Sequence, residues 1–122
     1  MNKYRNKKTE VDGILFDSKK EAEYYLVLKL RLRAGDISNL RRQVVYDLIP
    51  PVWVEKPKQL KTKVKMERYC AWRGMKYIAD FVYTDNQTGE EVVVDVKGTK
   101  TAEYKKKKKL MHFLKDIEIQ EV

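Results

Sequence analysis

A chain of 122 residues, 43% hydrophobic and 37% charged, has the length of one domain able to bury about two thirds of its unfolded surface, and that balance excludes a disordered chain. The net charge of +9, from 27 basic against 18 acidic residues, favours a polyanionic partner, nucleic acid by default, through counterion release and long-range attraction. Cys70 is the one cysteine, which excludes an intramolecular disulfide and a cysteine-based zinc cluster and suits a reducing, intracellular setting.

No apolar run approaches the roughly eighteen residues of a membrane span, and the first ten residues lack the apolar segment of a secretory signal. A soluble, cytoplasmic protein with no membrane partner is expected. Residues 1–10, with Lys3, Arg5, Lys7 and Lys8 and almost nothing apolar, read as a mobile basic arm, and residues 11–122 as a single domain. "VDGILFDS" predicts a short strand or hairpin turning at Asp12-Gly13 and ending at Ser18. Ser18 and Glu21 form a capping-box pattern, Ala22, Tyr25, Leu26, Leu28, Leu30 and Leu32 continue a mostly helical apolar pattern, and Gly35 stops it.

"NLRRQVVYDLI" predicts a strand around Gln43 to Ile49, closed by Pro50 and Pro51. From Pro51 to about Tyr69 the chain is basic and has no clear period. It reads as a long, partly flexible excursion with strand character near Val64 to Tyr69. "MKYIADFVYT" and "EVVVDVKG", joined by the turn residues "DNQTGE", predict an antiparallel hairpin. "TAEYKKKKKLMHFLK" predicts a second helix and "IEIQEV" a last, edge-like strand. The resulting order is helix, three strands, helix, strand, an α/β arrangement of two or three layers around a mixed sheet.

The stretch "VVVDVKG", Val92 to Gly98, carries opposite charges in a strand made for an interior. Burying an unpaired charge costs several kcal/mol, roughly. Side chains alternate along a strand, so Asp95 and Lys97 share a face. With the turn centred near Gln87 and Thr88, residue i pairs with residue 175 − i, and Asp80 falls opposite Asp95. Two carboxylates side by side destabilise a sheet unless a cation lies between them. Hard oxygen donors at that separation suit Mg²⁺. Lys97, one pleat on, is within reach of a water or phosphate held by such a metal, as metal-assisted phosphodiester hydrolysis requires. An isolated Asp-x-Lys is more often a solvated ion pair. Here apolar flanks on both faces, Asp80 in register, and Gly98 just beyond Lys97 point instead to a site.

"AD" at Ala79-Asp80 and "DVK" at Asp95-Val96-Lys97, after a helix carrying "SKKEA", resemble the PD-(D/E)XK nuclease superfamily. "FDSKKEAEYY", "YIADFVY" and "DVKGTKT" resemble, more narrowly, small phage-encoded endonucleases related to Holliday junction resolvases. The resemblance spans residues 14–121 and implies a restriction-endonuclease-like αβββαβ core, a mixed central sheet flanked by helices. It implies a Mg²⁺-dependent endodeoxyribonuclease, with Mn²⁺ able to substitute, acting on branched DNA such as four-way junctions inside a host cell. By the same resemblance Asp80 and Asp95 are metal ligands, Lys97 is the catalytic lysine, Glu21 is the helix-borne acid, and the Val96 carbonyl joins the ligands. Ala79 stands where the family name has Pro, and Asp95 where many relatives carry Glu. Glu23 competes with Glu21 from another side of the helix, and Gln43 resembles a glutamine found near the site in this superfamily.

Lys100, Lys105, Lys106 and Lys108, beside or on the second helix, and Lys63 and Lys65, in the basic excursion with Lys58 and Lys61, are the candidate DNA-backbone contacts. Five successive lysines, Lys105 to Lys109, sweep more than one helical turn and cannot share one face. Cys70 reads as a small core residue, His112 as packed or half-exposed, and the large aromatics mainly as core. Symmetric cutting of a four-way junction needs two active sites and so implies a homodimer, although no interface is legible. The rival reading is a catalytically inactive basic nucleic-acid-binding domain on the same fold.

Overall fold

The computed structural model describes residues 8–96 and 101–122. Strands β1 (Thr9–Val11) and β2 (Ile14–Phe16) form a small antiparallel pair before helix α1 (Lys19–Ala34). Their two-residue loop is Asp12 (φ 53°) and Gly13 (φ 75°). Left-handed conformations at both positions match the twist of a tight hairpin, which is why an Asp-Gly pair sits there. Thr9 and Glu10 are thus part of a strand, because their backbone groups pair with Phe16 and Leu15, and the expected arm gives way to structure before residue 10.

Helix α1 begins where the sequence signals it. The Ser18 side chain accepts a hydrogen bond from the Glu21 N–H at 3.1 Å, and the helix ends at Gly35 in a left-handed conformation (φ 83°) whose N–H donates to Arg31 and Leu32. Ser18 satisfies one of the four unpaired N–H groups of the first turn, and a glycine adopts the C-terminal conformation without a Cβ clash.

The central sheet has the order β3 (Ile37–Ile49), β6 (Met75–Asp85), β7 (Glu91–Asp95), β8 (Ile119–Glu121). β3, β6 and β7 are antiparallel neighbours, while β8 lies parallel to β7 after helix α2 (Ala102–Lys115). The molecule is therefore α/β with a mixed sheet and two helices. Adjacent residues of β7 face opposite ways: Val94 packs with Ala22, Tyr25 and Leu28 of α1, whereas Val93 packs with Tyr104 and Met111 of α2. The sheet lies between the helices, and β7, buried on both faces, reads as an unbroken valine run. Full burial of each such side chain contributes about 1.5–3 kcal/mol.

Three further expectations from sequence are corrected. β3 starts at Ile37, six residues earlier than read, because its register shifts and left-handed residues Asn39 (φ 53°) and Gln43 (φ 51°) interrupt the alternation that marks a strand. The supposed flexible excursion is a regular antiparallel hairpin, β4 (Val52–Gln59) with β5 (Val64–Trp72), forming its own two-stranded sheet. Cys70 lies exposed on β5 and not in the core, since this hairpin packs no face into one. Among the described residues no helix is long and apolar enough to cross a membrane.

Candidate functional site

The β6–β7 ladder pairs Phe81 with Val94, Val82 with Val93, Tyr83 with Val92 and Thr84 with Glu91. The constant sum is the one expected from the turn, and continuing it by one residue sets Asp80 beside Asp95. Both are half-buried.

Asp80 sits where β6 changes face. Ala79 and Val82 pack on the α2 side although strict alternation forbids that for residues three apart, while Phe81 and Tyr83 pack on the α1 side. The ladder to the neighbouring strand is interrupted at the same level with no shift of register. β3 pairs Arg42 with Phe81 and Val44 with Ala79, passing over Gln43 and Asp80, and Gln43 takes its left-handed conformation there. Such an irregularity re-aims a side chain at the cost of ladder hydrogen bonds.

That break brings three elements together. Gln43 Nε2 on β3 donates to Glu21 Oε1 on α1 at 3.4 Å, and the same side chain hydrogen-bonds Asp80 on β6. Asp80 Oδ2 also accepts from the Val96 N–H at 2.8 Å, and Asp95 Oδ2 accepts from the Tyr77 hydroxyl at 2.7 Å. Glu21 is 6% exposed. Glu23 is exposed and pairs with Lys19 at 4.0 Å, so Glu21 is the helix acid that faces this cluster.

Burial pushes the Asp80 carboxyl up to about 6, and the charges of Asp95 and Asp17 add to the rise, against the pull of the hydrogen bonds from Val96 and Gln43. Burial likewise raises Tyr77 far above the ordinary phenol range, helped by its hydrogen bond to Asp95. It therefore remains a donor at any working pH. Tyr104 on α2 is raised too, chiefly by burial, and both Asp95 and Asp80 add to the shift.

The structure thus links Glu21 and Asp80 through Gln43, and ties Asp80 to the Asp95 strand through the Val96 N–H. Lys97 and Lys100 lie outside the described residues. Among the described residues no group of three or more His, Cys, Asp or Glu side chains is close enough to hold a metal ion by itself. The donors in hand are the adjacent pair Asp80 and Asp95, with Glu21 one hydrogen bond away through Gln43. Of the candidate DNA contacts, Lys105 and Lys106 are exposed on α2 and Lys63 and Lys65 on the β4–β5 hairpin, while Lys108 pairs with Glu121 at 3.2 Å. His112 is spent on a contact with Glu118.

Tyr77 and Asp17 are the members of the site that the sequence reading passed over. A tyrosine in a buried strand needs a partner for its hydroxyl, and an acidic residue close by in the sheet is the natural acceptor. The acceptor is Asp95 on the neighbouring strand, so the signal lay in the hairpin register and not in "YIAD" itself. Asp17 had none beyond its place before the cap.

No curated protein and no solved structure matches this chain. A family model matches residues 1–120, nearly the whole length, and by that match the chain belongs to the family described as Protein of unknown function (DUF1064).

Proposed function

We propose that this protein is a metal-dependent DNA endonuclease of the PD-(D/E)XK kind, hydrolysing phosphodiester bonds with a preference for branched DNA. The observation that carries the reading is the pair Asp80 and Asp95, one step beyond the last paired residues Phe81 and Val94 of a ladder buried on both faces, with the Asp80 carboxyl held near 6 by burial and by its neighbour's charge. Like charges so placed are retained at a cost, and perturbed carboxyls gather where chemistry is done. The order α1-β3-β6-β7-α2-β8, with the β4–β5 hairpin inserted, supports a restriction-endonuclease-like αβββαβ core.

The donor chemistry fits a hard divalent cation. Adjacent carboxylate oxygens are hard donors of the kind Mg²⁺ or Mn²⁺ takes. Asp80 and Asp95 would hold it, with Glu21 and the Val96 carbonyl as further donors. When bound, the ion supplies Lewis acidity toward a phosphoryl oxygen and lowers the pKa of water. The chain's own part is positional. Val96 N–H and Gln43 fix the Asp80 carboxylate, Tyr77 fixes Asp95, and Gln43 ties Glu21 to the same cluster. Lys97 is assigned, on sequence grounds, to orient the attacking water or offset charge on the phosphoryl group. Cutting a four-way junction symmetrically would take two copies of the chain.

The test is cleavage of labelled four-way junction, linear duplex and single strand, with Mg²⁺ or with chelator, beside Asp95→Ala. Mg²⁺-dependent cutting by the wild type and none by Asp95→Ala is expected. Binding with no cleavage on any substrate would leave the inactive nucleic-acid-binding domain as the reading. Equal cutting of linear duplex would remove the branched preference and keep the nuclease.

A further inference from the structure

Residues 52–73 hold five lysines and two arginines against Glu55 and Glu67, a net +5 of the chain's +9. All but Val54, Leu60 and Glu67 of these are exposed. This segment is the β4–β5 ribbon, which among the described residues forms a two-stranded sheet of its own. With eight residues in β4, it is about 26 Å long at roughly 3.3 Å per residue.

Its charge is not spread evenly. The tip from residue 58 to residue 65 has Lys58, Lys61, Lys63 and Lys65 and no acid, and Lys58 and Lys65 are directly opposite in the ladder. Facing like charges destabilise a sheet in water, and among the described residues Glu67 is the acid that offsets them, pairing with Lys58 at 3.4 Å and attracting Lys65. An external anion would relieve this arrangement.

The base of the ribbon differs. Both tryptophans of the chain are there, Trp53 48% and Trp72 72% exposed. The Arg68 guanidinium lies 4.6 Å from the Trp53 ring centroid, which holds that ring in place. Large aromatics at solvent beside a basic strip are the equipment of proteins that stack on bases while gripping phosphates. A two-stranded ribbon is also one of the shapes the DNA major groove admits.

We propose that the β4–β5 ribbon is a nucleic-acid arm whose lysine tip holds the sugar-phosphate backbone while Trp53 and Trp72 stack on bases left unpaired at a branch. This deepens the nuclease reading and rests on it for the identity of the partner as DNA. It assigns branch selectivity to the ribbon and leaves the chemistry to the sheet.

Because no other tryptophan is present, intrinsic fluorescence reports on the ribbon directly. In chelator, titration with four-way junction is expected to quench tryptophan emission, and linear duplex to quench it less, with anisotropy of labelled DNA giving affinity in parallel. Replacing Lys58, Lys61, Lys63 and Lys65 together by Ala should weaken both DNAs and lower the salt slope of binding by about 3–4. Trp72→Ala should cost about tenfold on the junction and less than about twofold on the duplex.

The proposal is overturned if saturating junction leaves emission unchanged, or if the four-lysine variant binds as the wild type does. It is equally overturned if sedimentation shows that the ribbon variants lose a dimer while DNA affinity is kept, since a second copy then covers this surface. Cleavage separates the two readings. Wild-type binding through the ribbon without Mg²⁺-dependent cutting removes the nuclease and leaves the arm, whereas normal cutting and affinity in the four-lysine variant removes the arm and leaves the nuclease.

Discussion

The Tyr77 hydroxyl donates to Asp95 Oδ2 at 2.7 Å, so the strand that carries Asp80 also orients the carboxylate on its neighbour. Tyr77 is 4% exposed and its ring packs 6.4 Å from that of Tyr104, leaving the hydroxyl little freedom to turn elsewhere. Tyr77→Phe keeps the ring and removes the donor. A hydrogen bond to a charged group contributes about 1.5–3 kcal/mol, and a loss near the lower end is expected in urea unfolding. If Asp95 serves the chemistry, Mg²⁺-dependent cleavage should fall by more than the stability loss explains, with substrate binding unchanged. Wild-type cleavage in a Tyr77→Phe protein would show that Asp95 needs no such orientation.

The raised Asp80 carboxyl predicts a pH dependence whose sign is fixed. Its folded pKa of about 6 lies above the ordinary 3.8, so the fold prefers the protonated acid. The stability this contributes is full below about pH 3.8 and is lost as pH rises through about 6. In chelator, the melting temperature of the wild type should therefore fall relative to Asp80→Asn between pH 4 and pH 7, in roughly that window. Asn keeps an acceptor for the Val96 N–H, so the difference between the two curves isolates the charge. A difference constant across that range would mean that Asp80 is ionised in the fold throughout.

Metal should reverse the same penalty. Ligand that binds the folded state alone stabilises it by about 2.7 kcal/mol at a concentration 100 times its Kd, and Mg²⁺ or Mn²⁺ is expected to raise the melting temperature at pH 7. Asp95→Asn removes one donor and the repulsion together. It also weakens the hydrogen bond from Tyr77, so the readout is the response to Mg²⁺, which should be smaller than the wild type's. Thermal melts of both proteins across a Mg²⁺ titration decide this, and an undiminished response in Asp95→Asn would move the cation elsewhere.

Legibility in the sequence followed what packs on the core. The register that joins Asp80 to Asp95 was readable because the turn residues between two apolar strands fix it, and Gly89 (φ 77°) supplies the conformation that turn requires. Helix α1 was readable from Ser18 and Gly35 at its ends. The β4–β5 ribbon was not, because a strand announces itself through alternation only when one face is buried. Pro57, which argues against an interior strand, is tolerated opposite Met66 because each ribbon strand has an unpaired edge. Gln43 was noted but its role was hidden, since a left-handed residue at the level where two strands change face leaves no periodic trace. The choice between Glu21 and Glu23 needed the helix's rotation about its axis, which the weakly patterned α1 sequence does not fix.

Gly74 holds the ribbon to the sheet, and its replacement tests how firmly. It lies between β5 and β6, and a Cβ there would meet the Ile49 carbonyl oxygen at 2.8 Å, with Pro51 Cδ and N each at 3.0 Å. These neighbours lead from β3 into β4, so the two chain crossings between sheet and ribbon touch at this point, largely backbone against backbone. No flexible side chain is available to yield, and Gly74→Ala must separate the crossings. Overpacking of this kind costs about 1–3 kcal/mol. The expected signature is local: amide exchange should quicken in Val52–Gln59 and Val64–Trp72, while the amides of Phe81 to Thr84 keep their protection. Wild-type stability together with unchanged exchange in the ribbon would mean that the crossings part without cost and that Gly74 does not set the ribbon's base.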